Sequence, residues 1–192
     1  MSSTVLYLIS MLKYMMLTFP ALFLGRLLLG KVNGVNWLRE IMFWLFITFL
    51  VGLASQTIVP EIGFDNGFYI VDTGTGNINL IPLKGLIITY VEIFHFRYID
   101  YFLINFVGNI LIFMPIGFCL PLLWDTKAKK VILIGFLISL YIEICQLFLN
   151  RGTDVDDLIL NTIGTIFGLL LYKLLNKSKR INKFFNKFKK ED

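Results

Sequence analysis

Residues 139–168 read SLYIEICQLFLNRGTDVDDLILNTIGTIFG. The stretch opens inside an apolar run that nevertheless carries Glu143 and Gln146. It turns through Asn150, Arg151 and Gly152, collects Asp154, Asp156 and Asp157, and re-enters apolar sequence with Asn161. An ionisable side chain within a membrane span is expensive and marks a functional site by default. The fold therefore turns on whether the runs on either side are spans.

Composition says that they are. The chain has 192 residues, 57% hydrophobic and 16% charged, with a mean hydropathy of +0.75. Soluble domains carry about 25% charged residues, so a soluble globular enzyme is excluded. The 19 Phe and 8 Tyr suit lipid-facing and interfacial surfaces. Five apolar runs, at 5–29, 37–59, 101–124, 131–149 and 155–175, match the roughly 20 residues that a transmembrane helix needs. Pro20 and Pro115 fall within spans, where membrane helices tolerate them. The expected fold is an all-α polytopic membrane bundle of about five transmembrane helices. Residues 1–175 form a single membrane domain and 176–192 a basic tail. The opening MSSTVLYLISMLK lacks a basic region and runs on too far for a cleaved signal, so the first run is expected to stay as a span. Cys119 and Cys145 fall in different spans, near opposite leaflets, and read as packing residues rather than a disulfide.

The charges orient the bundle. Arg26, Lys31 and Arg39 flank the first connection, Lys127, Lys129 and Lys130 the third, and the remaining basic cluster follows Lys173 to the C-terminus. Most of the 18 basic residues thus share one side, which the positive-inside rule makes cytoplasmic. The N-terminus is then outside and the C-terminus inside. The long outer connection, 60–100, begins with glycine- and asparagine-rich turns. From 84 to 99 it mixes apolar residues with Thr89, Glu92 and His95, as a helix lying in the outer interface would. His95 reads as an interfacial hydrogen-bonding residue, since nothing near it completes a metal set. In the tail, Ile181, Phe184, Phe185 and Phe188 line one helical face among lysines. That pattern describes either an amphipathic helix on anionic lipid or lysines that merely fix topology. Because the basic tail follows a span, it gives no support to nucleic-acid binding.

Polar residues occur at one depth in three spans. At 1.5 Å per residue, Glu143 lies about 9 Å below the outer surface, Asn105 and Asn109 about 6 and 12 Å, and Asn161 about 6 Å. Asn105/Asn109, Ser139/Glu143 and Asp157/Asn161 are each four apart, and Glu143/Gln146 three apart, so each set shares a helix face. Inward-pointing faces would line a polar cavity open to the outer leaflet, with Arg151 and the three aspartates at its rim. The bland alternatives are interhelical hydrogen bonding for the asparagines, helix capping for the aspartates and close packing for Gly164 and Gly168. Glu143 resists them best, because a buried carboxylate needs a partner. Lys13, Arg151 or a cationic ligand could supply one.

The ordered set resembles the VanZ-like membrane proteins. It runs Asn79-Leu80-Ile81-Pro82, then Asn105-x3-Asn109-x3-Phe113-x-Pro115-x-Gly117, then Glu143-x2-Gln146. Arg151-x2-Asp154-x-Asp156-Asp157-x3-Asn161-Thr162-x-Gly164-x3-Gly168 completes it. The likeness covers about 79–172. It implies a multi-pass protein of a Gram-positive cell membrane, among the teicoplanin-resistance proteins. Two functional expectations follow. In the first, Asn105, Asn109, Glu143, Gln146, Arg151, Asp154, Asp157 and Asn161 bind an amphiphile, either a lipoglycopeptide or a lipid-linked wall precursor. In the second, Glu143 and Asp157 act as acid and base on a lipid-linked head group, with a divalent cation at Asp154, Asp156 and Asp157 as an option. No serine elbow, HExxH or Cys/His cluster is present, which favours binding. Five spans without a visible inverted repeat argue against a transporter.

Overall fold

The computed structural model describes residues 3–29, 36–58, 62–63, 69–70, 78–85, 87, 90–91, 103–149 and 152–189. The α-helices it describes end to end are α1 (Ser3–Leu29), α2 (Trp37–Thr57), α3 (Asn109–Trp124, entered through a π-helical turn at Leu103–Gly108), α4 (Ala128–Gln146), α5 (Val155–Asn176) and a short α6 (Lys179–Phe185). Local chemistry sets their ends. Asn36 caps α2 by accepting the Arg39 N–H at 3.2 Å. Asp154 caps α5 by accepting the Asp156 N–H at 2.9 Å, with Asp156 and Asp157 favourably placed in the positive first turn. After Trp124 the chain takes a left-handed step at Asp125 (φ 48°), closing α3 before α4 begins.

Four helices are long and apolar enough to cross a membrane: Ile9–Leu28, Trp37–Thr57, Asn105–Trp124 and Val155–Asn176. The chain is an all-α membrane bundle, and its limits follow the expected runs closely. The fourth run, α4, lies in the same bundle but carries Lys129, Lys130 and Glu143, and is not one of the four.

The contacts fix the directions of the helices. α3 and α5 make the most extensive pairing in the molecule. A Cβ at Gly164 would strike the Ile110 carbonyl and one at Gly168 the Met114 carbonyl, so the two helices run parallel with their main chains in close approach. Gly117 packs in the same way on the Thr165 carbonyl. Opposing contacts of α4 with α5, Gly135 on Thr165 and Ser139 on Asn161, make that pair antiparallel. α1 and α2 form an antiparallel hairpin, tied by Arg26–Glu40 at 3.1 Å and by Gln56–Ser10 at 3.3 Å. Thus α1, α3 and α5 run one way, and α2 and α4 the other. A core of Phe46, Leu53, Phe113, Ile116, Cys119, Leu123 and Ile142 joins α2, α3 and α4. Cys119 and Cys145 are both free thiols.

The alternation gives the bundle two chemically distinct ends. The basic end collects the α1–α2 and α3–α4 connections and the C-terminal segment. There Phe185 stacks on Tyr172 at 5.5 Å, and Phe185 and Phe188 are buried with Leu122. Lys189 pairs with Asp125 at 2.6 Å, and the Lys187 carbonyl accepts from Asn36. The Asp125 carboxylate holds the Lys189 ammonium above the usual lysine range. The face expected to enter lipid therefore packs largely on the bundle, and only Phe184 of that pair of adjacent rings stays exposed. Two dipeptide pairings complete the structure: Ile62–Gly63 antiparallel with Tyr69–Ile70, and Ile78–Asn79 parallel with Thr153–Asp154. The second sits at the acidic end. Of the expected interfacial helix, Lys84, Gly85, Ile87, Tyr90 and Val91 are described and are helical. Thr89, Glu92 and His95 lie outside the described residues.

Candidate functional site

The acidic end is assembled by α3, α4, α5 and the segment 78–85. Glu143, on the last turn of α4, is 5% exposed, and its carboxylate accepts the Asp154 N–H at 3.0 Å. The Glu143 carbonyl accepts from the Thr153 hydroxyl at 3.1 Å, so one residue holds both members of the dipeptide that leads into α5. Asp154 accepts from Asn79 Nδ2 at 3.0 Å as well as from the Asp156 N–H that it caps. Asp156, 4% exposed, takes the backbone N–H groups of Leu83 and of Gly85, the latter at 2.8 Å. Leu83 adopts a left-handed φ of 67°, an uncommon state for a branched apolar residue. That step lets the N–H groups of residues 83 and 85 converge on one carboxylate, as in anion-binding backbone nests, while the Lys84 N–H between them donates to the Ile81 carbonyl. Asp157, one position on, accepts from Asn109 Nδ2.

The four carboxylates are therefore held by neutral N–H donors from separate segments. Among the described residues none of them pairs with a lysine or arginine. Lys13 is exposed on α1, a helix that packs chiefly on α2. Arg151 lies outside the described residues. No group of three or more His, Cys, Asp and Glu among the described residues is placed to hold a metal ion, and Asp154 and Asp156 are already committed to internal donors.

The expected polar residues divide into two groups. Glu143, Asp154, Asp157 and Asn109 come together, with Asn105 in the π-helical turn that opens α3. π-Turns often accompany functional sites. Asn161 sits deeper, donating to Ser139 Oγ at 2.9 Å, while its Oδ1 is buried without a partner among the described residues. Gln146 turns the other way and donates to the Thr57 carbonyl of α2 at 3.4 Å. Asn79, Thr153, Leu83 and Gly85 carry contacts that the residue-by-residue reading did not assign. Asn79 was visible only as part of an upstream motif, and backbone donors leave no trace in side-chain identity.

The fold and site define a polytopic helical membrane protein with an acidic polar cluster at one end of its bundle. A family profile described as VanZ/LLP1 matches residues 37–176, and the chain belongs to that family. Protein VanZ of Enterococcus faecium is 40% identical over 80 residues, covering 37% of this chain and 45% of that protein. The aligned part thus spans under half the length of that relative. No solved structure matches.

Proposed function

We propose that the chain crosses the cell membrane five times, α4 included, with the acidic end at the outer surface. There it binds the head of an amphiphile. The observation that carries this reading is the cluster itself: Glu143 and Asp157 sit beside two further carboxylates, and none of the four makes an ion pair among the described residues. Such a site favours a head rich in N–H donors or positive charge and disfavours a phosphate. Of the two amphiphiles the resemblance suggests, a lipoglycopeptide of the teicoplanin type fits better than a pyrophosphate-linked wall precursor. An apolar bundle surface beside the site would take its acyl chain. Family membership supports a role in lowering teicoplanin sensitivity.

The test is drug susceptibility of a sensitive Gram-positive host that expresses the chain. Wild type should raise resistance to teicoplanin but not to vancomycin, which lacks the acyl chain. Glu143→Ala and Asp157→Ala should remove the effect at matched membrane levels, while Glu143→Gln, which keeps one acceptor, should retain part of it. Complete loss with Glu143→Gln alone would favour acid–base chemistry by this carboxylate instead. No shift with wild-type protein in the membrane would sink the resistance reading.

A further inference from the structure

The opposite end of the bundle holds a cavity that the acidic site does not use. It has a volume of about 630 Å³ and lies at the α3–α4 turn, within the size range of small-molecule sites. Leu120, Trp124 and Ile134 form its apolar wall, and Lys127 and Lys130 flank it. Thr126 and Asp125 close the turn, the Thr126 hydroxyl donating to the Leu120 carbonyl at 3.3 Å. Its one acidic lining residue among the described residues, Asp125, is bound to Lys189 at 2.6 Å. Neither Lys127 nor Lys130 has a carboxylate partner among the described residues. The first turn of α4 contains no acidic residue, and its N-cap makes no side-chain hydrogen bond, so the helix dipole adds to the positive field.

We infer that this cavity is a binding site for an anionic phospholipid. The lipid's phosphate would lie between Lys127 and Lys130, and the upper part of its acyl chains against Leu120, Trp124 and Ile134. Three observations point to lipid rather than to a soluble anion. The apolar wall is continuous with exposed faces of two bundle helices, since Trp124 and Leu133 are both open to the surroundings. Lys127 and Lys130 follow closely on Trp124, the last residue of a candidate span, where interfacial tryptophans and lysines characteristically anchor membrane helices. The bundle has also neutralised its own acid there through the C-terminal segment, leaving a net cationic mouth over an apolar wall. The residues concerned are remote from Glu143 and Asp157, so the inference stands or falls apart from the amphiphile reading.

Trp124 provides the probe. The full chain bearing Trp37→Phe and Trp44→Phe, which leaves Trp124 as its one tryptophan, is reconstituted in phosphatidylcholine nanodiscs. These are doped with dibrominated phosphatidylglycerol or dibrominated phosphatidylcholine. The glycerol lipid should quench Trp124 at a mole fraction at least tenfold lower, with each lysine contributing about fivefold. Lys127→Gln with Lys130→Gln should erase the difference, and Lys127→Arg with Lys130→Arg should keep it. Lys179→Gln with Lys183→Gln, on α6, should leave it in place. If the glutamine pair fails to fold, Ile134→Glu, which puts a carboxylate on the apolar wall beside both lysines, should also remove the preference. Equal quenching by the two lipids overturns the inference. So does a preference that survives loss of both lysines, which would belong to general surface charge. A preference abolished by inorganic phosphate at constant ionic strength would assign the site to the free anion instead.

Discussion

Asp156 shows how an acidic residue in such a protein can be structural. Its two oxygens take the Leu83 and Gly85 N–H groups and bind the segment 78–85 to the start of α5. Hydrogen bonds to a charged acceptor contribute about 1.5–3 kcal/mol each. Asp156→Ala should therefore lower stability by about 3 kcal/mol or more, read as a fall in thermal midpoint in detergent with faster proteolysis near 78–85. Asp156→Asn should fall between wild type and alanine. An unchanged midpoint for both would show that the latch contributes nothing. Glu143 and Asp157 were legible in the sequence because a carboxylate in an apolar run stands out. The role of Asp156 was not, because its partners are backbone groups, one of them 73 residues away. Nothing in the identity of Leu83 announces a left-handed conformation.

At the scale of the element, the α3–α5 pair depends on three glycines whose missing side chains let main chains touch. Gly164→Ala would press a methyl group on the Ile110 carbonyl, and such overpacking costs about 1–3 kcal/mol. Gly25→Ala on α1 meets nothing within 4 Å. It should be neutral or gain up to about 1 kcal/mol from helix propensity. Thermal midpoints of the two variants, measured side by side, check the contrast. The C-terminal helix makes a second one. Phe185→Ala should cost about 3–5 kcal/mol, as for a buried ring, and the half-exposed Phe184→Ala, which loses chiefly its edge contact with Phe188, about 1 kcal/mol; equal effects would mean that the tail does not dock. The helix limits were legible because bilayer thickness sets span length. Gly164 and Gly168 were legible as a spacing, whereas Gly117 gained its meaning only from the parallel direction of α3. In the tail, Ile181, Phe184, Phe185 and Phe188 recur at helical spacing in the sequence. Sequence could not say whether its apolar face meets lipid or protein, since both are equally apolar.

For the molecule as a whole, the alternating directions of α1 to α5 gather the basic α3–α4 turn and C-terminal segment at one end and the carboxylate cluster at the other. With Cys119 and Cys145 replaced by serine, a single cysteine at the exposed Ile81 should react with a membrane-impermeant maleimide in intact cells. One at Thr126 should react only after permeabilisation. The reverse pattern would invert the bundle and place the acidic cluster inside. Two ends of opposite charge suit the two roles proposed for them: recognition of a donor-rich head at the acidic cluster and seating of an anionic lipid at the cationic mouth.

The most direct test of the central claim is teicoplanin binding to the purified full chain in nanodiscs, with vancomycin as the comparison and protein-free nanodiscs as the baseline. Wild type should bind teicoplanin above that baseline and vancomycin far more weakly. Glu143→Ala should weaken teicoplanin binding by about 10–100-fold, the loss of one charge-assisted hydrogen bond. Binding to Glu143→Ala as tight as to wild type would contradict the account and move the ligand away from the acidic cluster.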